Sequence, residues 1–156
     1  MAPSAPHSLA LRLRNDPREL PRVADAVDSF LAGNGLPAAL ASRVNLALDE
    51  LLSNVMQHGL PGGLPGASPG QAQAGEIELS LDLASDRLVA EIRDRGVPFN
   101  PLEMPDPDVE AALEDREIGG LGIFLARQMM DVIRYRRADG FNCLTLVKLL
   151  PGEAVS

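Results

Sequence analysis

The stretch that most restricts this chain is Leu46–Gly59, LALDELLSNVMQHG. Wound as a helix at ~100° per residue, it stacks Glu50 and Asn54 as an i, i+4 pair on one face, with Arg43 and Gln57 close to the same line. About a quarter-turn round, Val44, Leu48, Leu51 and Val55 form a core stripe, and Leu46, Ala47, Leu52 and Met56 extend the apolar surface almost all the way round. A carboxylate and a carboxamide set in so apolar a helix need partners, because a charge buried without them is strongly unfavourable. A cleft holding a metal and a polar ligand would supply such partners. On the helix alone, a surface Glu50 with a capping or packing Asn54 accounts for the pattern equally well.

The segments around this helix read as one small α+β domain. His7–Arg14 alternates, with Leu9, Leu11 and Leu13 on one side, which predicts a strand with one buried face and an exposed His7. Asp16-Pro17 reads as an N-cap and first helical position, and the helix is expected to run to about Ala32 with Leu20, Val23, Val27, Phe30 and Leu31 inward. Pro21 is either tolerated in its first turn or delays its start, and Gly33-Asn34-Gly35 ends it. Pro37 begins the helix that ends at Gly59. Glu76–Ala84 and Arg87–Arg93 alternate about Ser85-Asp86, which is a hairpin pattern. Leu121–Met130 reads as a helix with Ile123, Phe124, Ala126, Met129 and Met130 available to pack, and Asp131–Arg137 and Phe141–Leu149 as strands turned by Ala138-Asp139-Gly140. The order predicts an α/β sandwich: a mixed, mostly antiparallel sheet of about five strands with three helices on one face.

Between these elements lie segments with other compositions. Residues 1–6 and 151–156 read as disordered tails around a single domain at 7–150. Pro61–Gly75, PGGLPGASPGQAQAG, reads as a mobile loop, and Asn100–Pro107 as irregular, with a short exposed helix over Asp108–Glu117.

Composition removes several classes of function. The net charge of −8 argues against a general phosphate-backbone binder, whose affinity rests on Lys and Arg, so no direct nucleic-acid partner is expected. One cysteine, Cys143, excludes an internal disulfide and reads as a small buried core residue; with two histidines it makes no zinc cluster. No basic start with a long apolar run and no stretch of ~18 apolar residues is present, so neither a signal peptide nor a membrane span is expected, and the cytoplasm is the default. No Ser–His–acid set suggests itself, which leaves little support for a metabolic enzyme.

Two later segments bear on the helix: Arg93-Asp94-Arg95-Gly96-Val97-Pro98-Phe99-Asn100-Pro101 and Ile118-Gly119-Gly120-Leu121-Gly122-Ile123-Phe124-Leu125. By themselves, Asp94-Arg95-Gly96 fits an ordinary turn and the glycine run a hinge before a packed helix. In this order, after LALDELLSNVMQHG, they resemble the first and second glycine boxes that come after the N-box of the Bergerat-fold (GHKL) ATPases. The chain is most similar to the small anti-sigma-factor serine kinases of bacterial partner-switching systems, over about residues 43–148. Many members of the superfamily carry Asp-x-Gly-x-Gly, and here Pro98 stands at the second glycine's place.

The resemblance implies a site with ATP or ADP and Mg²⁺ as cofactors. It makes Asn54 the metal ligand, as suits a hard-oxygen donor for Mg²⁺, and Glu50 the catalytic base toward a partner's Ser or Thr hydroxyl. Asp94 would accept from the adenine amino group, Gly96 would let the base approach the backbone, and Gly119, Gly120, Leu121 and Gly122 would cradle phosphate at a helix N-terminus. Residues 100–120 would be a short ATP lid, with Arg116 reaching the phosphates or simply solvating the lid. Thr145 matches a family threonine near the base, or is an ordinary strand residue; His58 matches a polar residue after the N-box asparagine, or is structural. Arg134, Arg136 and Arg137 read as a solvated strand face or a partner surface.

By the same resemblance, the chain is expected to be an ATP-dependent protein serine/threonine kinase and anti-sigma-type regulator. It would sequester a sigma factor or equivalent output protein and phosphorylate a STAS-domain anti-sigma-factor antagonist, as a homodimer, with a PP2C-type phosphatase in the same pathway. The alternative is a non-catalytic Bergerat-fold binding module that holds or activates a protein partner such as a phosphatase.

Overall fold

The computed structural model describes residues 7–59, 76–103 and 121–151. Strands β1 (Ser8–Leu13), β2 (Ile77–Leu83), β3 (Arg87–Asp94), β4 (Val132–Ala138) and β5 (Phe141–Leu149) form one sheet in the order β1-β2-β3-β5-β4. All four pairings are antiparallel, which is narrower than the mixed, mostly antiparallel sheet expected from the sequence. Helices α1 (Leu20–Gly33), α2 (Ala38–Asn54) and α3 (Leu121–Met129) are the described α-helices of the α+β fold. The predicted tail at 1–6, all but Pro151 of the predicted tail at 151–156, the loop at 61–75, the exposed helix at 108–117 and most of the lid at 100–120 lie outside the described residues.

The period-2 pattern assigns each strand its faces. Leu13, Ile77, Leu79, Leu81, Leu88, Ala90, Ile92, Leu144 and Leu146 point to the helices and are at most 3% exposed. They share one core with Val23, Val27, Phe30 and Leu31 of α1 and Ile123 and Ala126 of α3. Helix α2 packs against both α1 and α3. Its predicted stripe of Val44, Leu48, Leu51 and Val55 is buried, as are Ala47, Leu52 and Met56, while Leu46 is 38% exposed. Each such leucine contributes about 1.5–3 kcal/mol by leaving water.

The opposite face of the sheet is polar. Arg12, Glu78, Arg93, Glu91 and Arg136 form a run of ion pairs across it, at 4.0, 3.5, 3.8 and 4.0 Å in turn. Such exposed pairs contribute little stability. Cys143 is buried, but it lies on this face, in register between Arg93 and Arg136, and not in the helix-covered core.

Local chemistry sets the boundaries. Asp16 caps a 3-10 turn at Pro17–Glu19, accepting from Arg18 N at 2.9 Å. Pro21 lacks the N–H that an α-turn would donate to Pro17, so Leu20 N donates there instead and α1 starts late. At its far end Gly35, at φ 77°, lets Leu36 N reach back to Leu31 O at 3.0 Å. Asp139 and Gly140, at φ 54° and 82°, make the two-residue β4–β5 turn. Among the described residues no helix is long and apolar enough to cross a membrane.

Candidate active site

Glu50 and Asn54 occupy the last turn of α2, each half-buried. Asn54 Nδ2 donates to Glu50 O at 2.9 Å, so the carboxamide is oriented by its own helix and its Oδ1 is the atom left for an external partner. The α-helix does not continue to Gly59 as the sequence suggests. It stops at Asn54 and widens into a π-turn over Val55–Gly59, a deviation that often accompanies a functional site. His58 lies within that turn.

The first turn of α3 closes on this pair. Gly122 is its second residue, and a Cβ there would overlap Glu50 Oε2, with Glu50 Cδ at 3.4 Å and Asn54 Nδ2 at 3.5 Å. Glycine therefore permits the start of α3 to approach the two side chains, and places a helix N-terminus, which favours negative charge, beside them. Leu121 is the first residue of the helix. Burial pushes the Glu50 carboxyl above its ordinary range, and the neighbouring Asp49 carboxylate adds to the rise.

A second cluster lies at the end of β3. Asp94 is 2% exposed on the helix-bearing face. Its Oδ1 accepts from Gly96 N at 2.8 Å and from Asn142 Nδ2 at 3.0 Å. Burial raises the Asp94 carboxyl above its ordinary range, opposed by the bonds from Asn142 and Gly96 and by the charge of Arg137. Gly96 is buried, and its carbonyl accepts from Arg137 Nη1 at 2.7 Å. The chain then runs into a 3-10 turn at Pro101–Glu103, where Leu102 O accepts from Arg127 of α3 at 2.9 Å. The helix that presses on Glu50 is thus tied to the segment leaving Asp94.

The structure brings Glu50, Asn54 and Gly122 together, and Asp94 with Gly96. Arg116, Gly119 and Gly120 lie outside the described residues. Thr145 is not brought to either cluster: it pairs with Glu91 and Arg134 and shares their charged face, on the other side of the sheet from Asp94. The sequence pattern does not single out Asn142, Tyr135 or Arg137 for the site. One signal is present in it: Asn142 is a polar residue at the same strand parity as Leu144 and Leu146. The arginine cluster divides, with Arg134 and Arg136 on the charged face and Arg137 bonded to the Gly96 carbonyl.

The donor set suits a nucleotide with Mg²⁺. Among the described residues no group of three or more His, Cys, Asp and Glu could form an all-protein metal cage. Mg²⁺ commonly takes one or two protein oxygens and completes its shell with phosphates and water. The free Asn54 Oδ1 beside a glycine-walled helix start matches that arrangement.

Comparison with known proteins agrees with this architecture. Residues 13–148 match the family model of the histidine kinase-like ATPase domain. The chain is 32% identical over 109 residues to the serine/threonine-protein kinase BtrW of Bordetella bronchiseptica, covering 70% of each chain. It is 27% identical over 116 residues to the serine-protein kinase RsbW of Bacillus mycoides, covering 72% of this chain and 66% of that one, just under two thirds. In fold it resembles the RsbU and RsbW domains of Rv1364c from Mycobacterium tuberculosis (TM-score 0.61, 19% identity, 96% of this chain and 34% of that chain). It also resembles a chain of the SiaB–SiaC complex from Pseudomonas aeruginosa (TM-score 0.56, 12% identity, 91% and 89%). The chain belongs to the histidine kinase-like ATPase domain family, with serine/threonine-protein kinases of the BtrW and RsbW type among its relatives.

Proposed function

We propose that this chain is an ATP-dependent protein serine/threonine kinase acting as an anti-sigma-type regulator. It alternates between sequestering an output protein, such as a sigma factor, and phosphorylating a STAS-domain antagonist. The observation that carries this reading is the approach of Gly122 to Glu50 and Asn54, which sets a carboxylate, a hard-oxygen donor and a helix N-terminus in one place. The serine/threonine-protein kinases BtrW and RsbW among its relatives support it.

In this reading ATP supplies the phosphoryl group and Mg²⁺ offsets the charge of the phosphates. Asn54 Oδ1 would hold the metal, the start of α3 would face the phosphates, and Asp94 would accept from the adenine amino group. Glu50 orients the partner's Ser or Thr hydroxyl and takes its proton as the oxygen becomes a nucleophile; its raised pKa makes it a stronger base for that transfer. Phosphorylation adds close to two negative charges to the partner beside Glu50 and Asp49, in a chain of net charge −8, and like-charge repulsion favours release.

The test is a calorimetric titration with ADP and ATP, with and without Mg²⁺, on wild type and Asn54→Ala. Metal-dependent binding that the variant loses is expected. Phosphotransfer to a STAS-domain partner then separates catalysis from binding: Glu50→Gln should abolish transfer while nucleotide and partner binding persist. Equal loss of binding in Glu50→Gln would refute the catalytic assignment.

A further inference from the structure

Helices α1 and α2 are joined by Asn34–Pro37 and pack side by side, and a groove of about 440 Å³ runs between them, walled by these two helices alone. Its apolar part is Leu46, 38% exposed, with the half-buried Leu20 and Ala24 on the α1 wall. A carboxylate stands on each wall. Asp28 of α1 accepts from Asn45 Nδ2 at 2.8 Å, a bond that crosses from α2. Asp49 lies one turn farther along α2, ~6 Å from Asn45 along the axis.

These two carboxylates differ from others on the surface. Glu19, Glu78, Glu91 and Asp131 each pair with an arginine or lysine. Among the described residues Asp28 and Asp49 have no ion-pair partner, and the one hydrogen bond to Asp28 comes from a neutral amide. The groove thus joins an apolar floor to two uncompensated negative charges about a turn apart on opposite walls. A helix with an apolar stripe and a cation on each flank complements it in both respects. The walls are α-helices whose backbone groups bond internally, so they offer little to an extended peptide, whereas a helix arrives with its own backbone satisfied. A second copy of this chain does not supply the occupant: each described α-helix carries a single arginine and no lysine.

The groove also stands apart from the candidate active site. Asp49 and Glu50 are ~100° apart around α2; Asp49 faces the groove with α1, while Glu50 meets Gly122 of α3. An occupant of the groove leaves the Glu50–Asn54 side open.

We propose that the α1–α2 groove is a docking seat for a basic amphipathic helix of a partner protein, which sets an apolar side chain against Leu46 and a Lys or Arg beside each of Asp28 and Asp49. Nothing in this preference requires a bound nucleotide.

The probe is a fluorescent alanine-based helical peptide of about 18 residues, with leucines at i, i+3, i+4 and i+7 and arginines on both flanks. Its counterpart carries glutamate for each arginine. Fluorescence anisotropy with the full chain should show the basic peptide bound at least about tenfold more tightly than the acidic one. Leu46→Ala should weaken the basic peptide about tenfold. Asp28→Asn combined with Asp49→Asn should do the same. Asp82→Asn combined with Asp139→Asn removes equal charge from exposed positions outside the groove, and should leave affinity within about twofold. Mg²⁺-ADP should not displace the peptide. Thermal melts check folding; if Leu46→Ala does not fold, the two aspartate pairs decide.

Equal losses for the two aspartate pairs would mean attraction to net charge alone and overturn the proposal. So would equal binding of the basic and acidic peptides, an unchanged affinity in Leu46→Ala, or no binding at all. Displacement by Mg²⁺-ADP would put the peptide at the nucleotide site and overturn it while supporting that site. Self-association of the chain that Leu46→Ala abolishes, read by sedimentation, would put a second copy in the groove and overturn it as well.

Discussion

The α-carbon of Gly122 faces the carboxylate of Glu50 so closely that a methyl group there would overlap Glu50 Oε2. The atom in the way is the far end of a flexible side chain, so Gly122→Ala is expected to displace Glu50 more than to unfold the domain. Melting should change little, while phosphotransfer falls by about 100-fold, the order of loss for a misplacement near 1 Å. The contrast is Gly33→Ala near the end of α1, where nothing lies within 4 Å of the added Cβ. That substitution should stabilise by up to about 0.5–1 kcal/mol and leave transfer untouched. Equal transfer rates for the two variants would remove Gly122 from the site.

Glu50 supplies a prediction with a definite sign. Its carboxyl titrates above the ordinary value of 4.5 because burial and Asp49 disfavour the charged form. Between 4.5 and the raised value the folded state therefore binds more protons than the unfolded state, and stability falls as pH rises through that window. Glu50→Gln removes this penalty. The variant should melt higher than wild type near neutral pH, with the advantage shrinking as pH falls toward 4.5 and gone below it. Transfer by wild type should have an acid limb above 4.5, since the base must be ionised. A Gln variant that melts lower at neutral pH would contradict the burial account.

Much of the fold was legible because the two periodicities survive in the sequence. Leu9, Leu11 and Leu13 meet Leu81, Leu79 and Ile77 in the register that alternation requires. The Glu50–Asn54 spacing was legible on the same ground. Asn142 was not, because its importance depends on lying opposite Asp94, 48 residues away, a pairing set by the β3–β5 register and not by local sequence. The π-turn was also hidden, since the apolar pattern runs on through Val55 and Met56, both buried as a continued helix would have them. The late start of α1 turned on one missing N–H at Pro21, which the sequence displays but whose effect it left open.

The core offers a check on the placement of α2. Leu51 is 0% exposed and Leu46 38% exposed, although both lie in the same apolar stretch. Leu51→Ala should cost about 2–5 kcal/mol through lost burial and the cavity left behind, whereas Leu46→Ala should stay within about 0.5 kcal/mol. Chemical denaturation of the two variants measures both. Similar costs would mean that α2 is rotated about its axis from the orientation described.

Thr145 tests whether register outranks resemblance. It lies three residues after Asn142 on β5, and an odd separation on a strand puts two side chains on opposite faces. Asn142 meets Asp94 on the helix-bearing side, and Thr145 sits between Glu91 and Arg134 on the charged side. A residue separated from Asp94 by the thickness of the sheet has no direct route to a base bound there. Thr145→Val keeps the shape and β-propensity of the side chain and removes only the hydroxyl. It should leave Mg²⁺-ADP affinity within about twofold of wild type, with at most about 1 kcal/mol lost in stability. Titration calorimetry on this variant beside Asn142→Ala makes the comparison. A Thr145→Val loss as large as that of Asn142→Ala would show that the hydroxyl acts on the site, against the register of β3 and β5.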